Sequence, residues 1–258
     1  MNPFFFGDSH RQLYGVYHPP TGQPMKSEGV LLCYPFGQEY MRAHRSFRQL
    51  AMLLGKRGYP VMRFDYFATG DSAGLCEEAS IPQWVEDIHT ASEEFRYLAN
   101  IETVSLVGLR LGAALAAKAS ERQGAFNRVV LWDPVLSGQQ YCDEIVDYIR
   151  YQQKLKVLPD FSGDFYMNGF PLLKSFRQEM ASLLNLDQCD QYKANRYLLF
   201  NSSEQPHFSK LKSHFEQLKL NFESHLAQSP GNWNFVDNFG GVLIPNAIIQ
   251  AIVQSFNL

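Results

Sequence analysis

The strongest chemical signal in the chain is Gly108-Leu109-Arg110-Leu111-Gly112, and the residue type at its centre decides what that chemistry can be. The apolar run 104–107 precedes it and the Ala-rich stretch 113–117 follows, which is the context of a strand, a sharp turn and a helix. In G-x-S-x-G enzymes such a turn lifts a serine above the sheet, while the flanking glycines let the backbone bend and the helix pack closely on the strand. A guanidinium is always protonated and cannot attack a carbonyl. It is suited instead to hold a carboxylate or a phosphate through paired hydrogen bonds.

The elements that must position this turn follow from the apolar runs. Residues 4–6 and 13–17 flank Gly7-Asp8 as an opening hairpin, and 29–34 reads as a strand buried on both faces. A helix follows, carrying Phe47, Leu50, Leu53 and Leu54 on one stripe. Strand 60–65 leads into a Gly- and Asp-rich loop ending at Gly74, and Trp84, Ile88, Ala91 and Phe95 then fall at helical spacing. Strand 103–107 enters the turn at Arg110, and strand 128–132 ends in Asp133-Pro134. Helices over 141–155 and 172–184 flank the aromatic residues Phe161, Phe165, Tyr166, Met167 and Phe170. Strand 197–200, a helix around 211–218, strand 233–236 and a closing helix over 245–256 complete the order.

Repeated strand, crossover helix and strand predict an α/β protein: a mostly parallel central sheet with helices on both faces. The segment at about 138–190 reads as a helical lid inserted over the carboxyl ends of the strands, where open α/β sheets place their ligands. The 258 residues fit one domain with a well-buried core. A formal charge of -3 and a pI near 6.2 provide no field to recruit nucleic acid or an anionic membrane surface. No apolar run approaches the ~20 residues a membrane span requires, and the first residues lack a signal-peptide pattern, so a soluble cytoplasmic protein is expected. Cys33, Cys76, Cys142 and Cys189 stand far apart without metal-site spacing and read as reduced thiols. No metal or cofactor is indicated.

These motifs together resemble the α/β-hydrolase superfamily, in particular its serine-aminopeptidase-like branch, over nearly the whole length. Pro35-Phe36-Gly37-Gln38-Glu39-Tyr40, Phe64-Asp65-Tyr66, the Gly70–Gly74 loop, the Arg110 turn and Leu131-Trp132-Asp133-Pro134-Val135 are similar, more narrowly, to the exosortase-system-associated hydrolases of the second type. That bacterial group already carries Arg in place of the nucleophilic Ser. The resemblance implies an α/β-hydrolase fold with a helical lid and an accessory role in a bacterial biosynthetic pathway.

Carried over residue by residue, the superfamily's Ser-His-acid mechanism fails twice. Arg110 stands at the nucleophile position. The loop expected to hold the histidine, 236–241, contains none, and no histidine follows His225. Glu204 follows the next-to-last strand but reads more simply as a solvated charge. Asp133 and His207 are the other candidates for relocated acid–base work, although pairing of Asp133 with Arg110 is the stronger expectation. Cys33 lies inside a strand, and Ser72 sits where hydroxyls cap helices.

The resemblance also places oxyanion-type N–H donors at Phe36 or Gly37 and at Leu111. With Arg110 they would form an anion site at a helix N-terminus, with Glu39 as a rival partner for the guanidinium. His44 and Arg45 could extend a positive rim over that site. Arg110, Leu111, Phe36, Gly37, Glu39 and Asp133 are therefore the expected ligand-binding residues. The expected ligand is a small anionic or acyl-bearing molecule bound by a protein that lacks the triad. The alternative is an ester or thioester hydrolase of non-standard mechanism that uses Arg110 for electrostatic stabilisation.

Overall fold

The runs of buried apolar residues in the sequence become the centre of an eight-stranded sheet. A computed structural model describes residues 1–122, 124, 126–153, 163–167, 169–233 and 244–256. Its main sheet contains β1 (Asn2–Phe6), β2 (Leu13–His18), β3 (Glu28–Cys33), β4 (Val61–Phe64), β5 (Thr103–Leu109), β6 (Arg128–Trp132), β9 (Arg196–Asn201) and β10 (Phe222–Leu226). They lie in the order β1-β2-β4-β3-β5-β6-β9-β10. β2 pairs antiparallel with β1 and with β4, and every other pairing in this sheet is parallel.

Helices α1 (Gly37–Lys56), α2 (Ile81–Ala99), α3 (Leu111–Ala119), α6 (Pro206–Gln217) and α7 (Asn246–Ser255) connect or cover these strands. Phe47, Leu50 and Leu54 of α1 and Trp84, Ile88, Ala91 and Phe95 of α2 are buried, as their spacing predicts. Such stripes remove apolar area from water at roughly 25 cal/mol per Å2, the main favourable term in folding.

Between β6 and β9 the chain forms α4 (Gly138–Gln153), the hairpin β7 (Phe165–Met167) and β8 (Phe170–Leu172), and α5 (Lys174–Leu183). The aromatic connection expected between two helices is thus partly a hairpin; Phe161 and the end of the predicted helix at 154–155 lie outside the described residues. The final strand also differs from expectation. The strand after β9 is β10, parallel to it, whereas 234–236 of the predicted strand lie outside the described residues. Among the described residues no helix is long and apolar enough to cross a membrane.

Candidate functional site

The sharp turn between β5 and α3 is built by its two glycines. A Cβ on Gly108 would stand 2.3 Å from the Gly112 carbonyl oxygen, and one on Gly112 would stand 2.2 Å from that of Cys33. Only hydrogen fits at either place, so α3 can pack directly on β5 and on the end of β3. Arg110 at the apex takes φ 53 and ψ −118, a conformation that costs a side-chain-bearing residue about 1–3 kcal/mol. Its N–H donates to the Trp132 carbonyl at 3.0 Å, which ties the apex to β6.

Two carboxylates meet the Arg110 guanidinium. Nε donates to Glu39 Oε1 at 2.9 Å and Nη2 to Glu144 Oε2 at 2.8 Å. Glu39 comes from the first turn of α1 and is buried; its other oxygen accepts from Tyr141 Oη at 2.9 Å. Tyr141 and Glu144 both belong to α4, and the Tyr141 ring lies 5.5 Å from the guanidinium carbon. Burial pushes the Glu39 pKa up, against the downward pull of Arg110 and Tyr141. Burial also opposes the charge on Arg110, but Glu39 and then Glu144 outweigh it and hold its pKa above the ordinary arginine value.

Asp133 is not the partner of Arg110. It takes φ 42 at the end of β6, and its carboxylate accepts from the Ser202 backbone N–H at 2.7 Å and from the Ser202 hydroxyl. Two local donors satisfy it better than a guanidinium already held by two acids. Burial raises its pKa while the Ser202 bonds pull it down.

Arg110, Asp133, Glu144, Ser202 and His207 line one cleft of about 390 Å3, together with Ser229, Gly231 and Asn232 from the loop after β10. That loop follows the last described strand and has no histidine. His207, on the first turn of α6, has its pKa lowered by burial first, with Arg110 adding to the effect. Among the described residues it has no hydrogen bond to Asp133 or to a serine. The loop 236–241, where the histidine was sought, lies outside the described residues.

The remaining candidates divide among other places. Glu204 lines a neighbouring groove of about 640 Å3 beside Lys212. Phe36 and Gly37 line a small apolar cavity of about 40 Å3 with Tyr40, Trp84 and Phe170, and Gly37 there lies beneath Met167. Leu111 is buried at the start of α3. The expected set is therefore brought together only in part, as Arg110 with Glu39, and Arg110 with Asp133 in one cleft.

The rim expected from His44 and Arg45 is not over Arg110. His44 stacks on the Tyr34 ring at 6.2 Å and turns towards Arg63, and Arg45 is exposed. Ser72 caps no helix: its hydroxyl donates to the Asp65 carbonyl at 2.7 Å and accepts from Tyr14 N–H at 2.8 Å, joining β2 to the end of β4. Cys33 is buried, and burial pushes its thiol up to about 12.

Sequence reasoning missed Tyr141, Glu144 and Ser202. The available signal for the first two was an acid three residues beyond a tyrosine, beside the buried stripe Tyr141, Ile145 and Ile149 of α4. Nothing in the sequence pointed to Ser202.

No protein-family model and no curated protein matches the chain. Solved structures are similar over almost its whole length. Est1E from Butyrivibrio proteoclasticus, determined with ferulic acid bound, is 14% identical with a TM-score of 0.69, over 98% of this chain and 95% of that one. Proline iminopeptidase from Mycobacterium smegmatis is 12% identical with a TM-score of 0.66, over 99% and 98%. Mouse alpha/beta hydrolase domain-containing protein 10 is 14% identical with a TM-score of 0.60, over 100% and 97%. The fold is therefore the α/β-hydrolase fold. At this level of identity the likeness assigns no activity.

Proposed function

We propose that this protein binds a small molecule on an α/β-hydrolase scaffold without Ser-His-acid hydrolysis, and that Arg110 receives a carboxylate or acyl oxygen of the ligand in the cleft. The observation that carries this reading is the place of Glu144. Its side chain is 55% exposed, yet its carboxylate sits on the outer N–H edge of the residue at the apex of the turn. A ligand carboxylate that takes its place exchanges one anion for another, so the charge around Arg110 and Glu39 is unchanged and Glu144 returns to water. Exposed ion pairs contribute about 0–1 kcal/mol, so the exchange costs little.

The apex offers no nucleophile, and among the described residues His207 has no hydrogen bond to a hydroxyl that it could activate. One feature favours a second reading, a hydrolase of non-standard mechanism: the strained apex conformation is kept, with the N-terminus of α3 behind it. In that reading Arg110 would stabilise developing negative charge.

The ferulic acid held by Est1E makes ferulate a suitable first probe, alongside straight-chain acyl carboxylates. Calorimetric titration of wild type, Glu144→Gln and Arg110→Gln is expected to give binding in wild type, binding tighter by up to about fivefold in Glu144→Gln, and none in Arg110→Gln. Acyl esters and thioesters incubated with the same proteins are expected to survive. Turnover by wild type that Arg110→Gln loses would establish the enzyme instead, and affinities indifferent to both substitutions would remove Arg110 from the site.

A further inference from the structure

Arg63 of β4 is only 4% exposed, and among the described residues none of its hydrogen-bond partners is a carboxylate. Its Nε donates to His18 Nε2 at 3.0 Å and its Nη1 to Tyr34 Oη at 2.8 Å. Nη1 also lies 3.5 Å from His44 Nε2, and Nη2 faces the Met1 thioether at 3.8 Å. All four partners are neutral acceptors or weaker. Asp65 is near enough to feel the guanidinium, but its oxygens are taken by Tyr40 Oη at 2.9 Å and Asp71 N–H at 3.0 Å.

Buried charges are ordinarily paired with an opposite charge. Here the nearby acid, Asp65, bonds elsewhere, and α1 adds charge of the same sign. The field of Arg48, an exposed residue one helical turn beyond His44 on α1, reaches both imidazoles. Burial first and Arg63 second depress His18 to about 4 and lower His44. The corner formed by β2, β4 and α1 thus holds two fixed guanidinium charges, two imidazoles and a phenol, and among the described residues no acid is hydrogen-bonded to any of them. The group covering Nη2 is the weakest acceptor of the set and belongs to a residue that is 63% exposed, so the guanidinium edge is one side-chain movement from solvent.

We propose that Arg63, His44 and Arg48 form a binding site for a phosphoryl group, free or as a small phosphomonoester. Two fixed positive charges match a dianion, and Arg63 Nη2, covered only by the Met1 thioether, is placed to donate to one of its oxygens. None of these side chains lines the Arg110 cleft, so the site is separate from the one assigned above and does not depend on that reading.

The test is calorimetry and thermal unfolding with inorganic phosphate and with glycerol phosphate, each against potassium chloride at equal ionic strength. Wild type, Arg63→Gln, Arg48→Gln, His44→Gln and Arg110→Gln are compared. Saturable binding is expected in wild type, about tenfold weaker in Arg48→Gln and unchanged in Arg110→Gln. Arg48 is exposed, so its variant keeps the test valid if Arg63→Gln does not fold. Binding of phosphate alone identifies the free anion, and binding of both identifies the phosphomonoester. A response no larger than that to chloride overturns the proposal, as does one that survives Arg48→Gln or vanishes in Arg110→Gln.

Discussion

Arg110 and Arg63 flank the same central sheet, and they solve the problem of a buried charge in opposite ways. Arg110 leaves 17% of its side chain accessible and meets two carboxylates, one buried and one half exposed. Arg63 is more deeply buried and meets an imidazole, a phenol and a thioether. Depth therefore does not set the electrostatic state of a guanidinium here; its partners do. The paired arginine can exchange its outer anion for another at little cost, whereas Arg63 is hydrogen-bonded by neutral groups, and it is there that the phosphoryl site is assigned.

The largest effect is expected from Arg110→Met, which leaves Glu39 in the interior without its cation. Breaking a buried pair from one side costs about 3–5 kcal/mol. The sign of the pH dependence follows from Glu39, whose folded pKa is already raised by burial and rises further when Arg110 is lost. A carboxylate with a folded pKa above its unfolded value favours the fold at low pH and loses that contribution as pH rises through the window between the two. The deficit of the variant should therefore be largest near pH 7 and shrink towards pH 4. Urea unfolding at both ends of that range checks it, and an equal deficit at both would show that Glu39 is not the charge left behind.

Arg63→Met sharpens the contrast because it removes a charge that no carboxylate is hydrogen-bonded to among the described residues. Two hydrogen bonds, to His18 and Tyr34, are lost at about 1 kcal/mol each, and relief of the buried charge's desolvation offsets part of this. The net loss should stay below about 2 kcal/mol. In wild type the depressed pKa of His18, about 4, means that its contribution is present above the unfolded value near 6.5 and is lost as pH falls towards 4. Without Arg63 the His18 titration should move up and the acid loss should narrow. Proton NMR of the imidazole and melting temperatures between pH 4 and 7 read both, and an unmoved His18 would show that Arg63 has no part in depressing it.

Legibility in the sequence tracks how local each feature is. The Gly108–Gly112 turn was readable because the two glycines, the strand before them and the Ala-rich helix after them are contiguous. So were β3, β5 and β6, whose continuous apolar runs fit strands buried on both faces. β10 was not, because Phe222-Glu223-Ser224-His225-Leu226 is a half-exposed strand at the sheet edge, and the aromatic segment from Trp233 was the stronger pattern. The partners of Arg110 were half legible. Glu39 follows the Pro35 turn closely enough to be named a rival, while Glu144 reaches the site only through the packing of α4. Asp133 was assigned to Arg110 on proximity of strand ends, and the turn at φ 42 that directs it to Ser202 has no signature in Asp133-Pro134. His44 was placed by its nearness in sequence to the Pro35–Tyr40 loop, but rotation along α1 carries it to the Arg63 side.

The smallest effect is expected from Glu144→Gln, and its smallness is what the exchange of anions at Arg110 requires. The Glu144 side chain is 55% exposed, so its ion pair is screened and competes with water, and its loss should change stability by no more than about 1 kcal/mol. The inner pair of Arg110 with Glu39 remains, together with the hydroxyl of Tyr141, so no buried charge is uncovered. Raising the salt concentration to 1 M, where screening acts within ~3 Å, should remove most of the remaining difference from wild type. A loss above about 2 kcal/mol, insensitive to salt, would place Glu144 in the structural charge balance of the turn. Arg110 would then hold both acids as firmly as a core pair, and a ligand carboxylate could reach it only by unfolding part of the contact between α4 and α1.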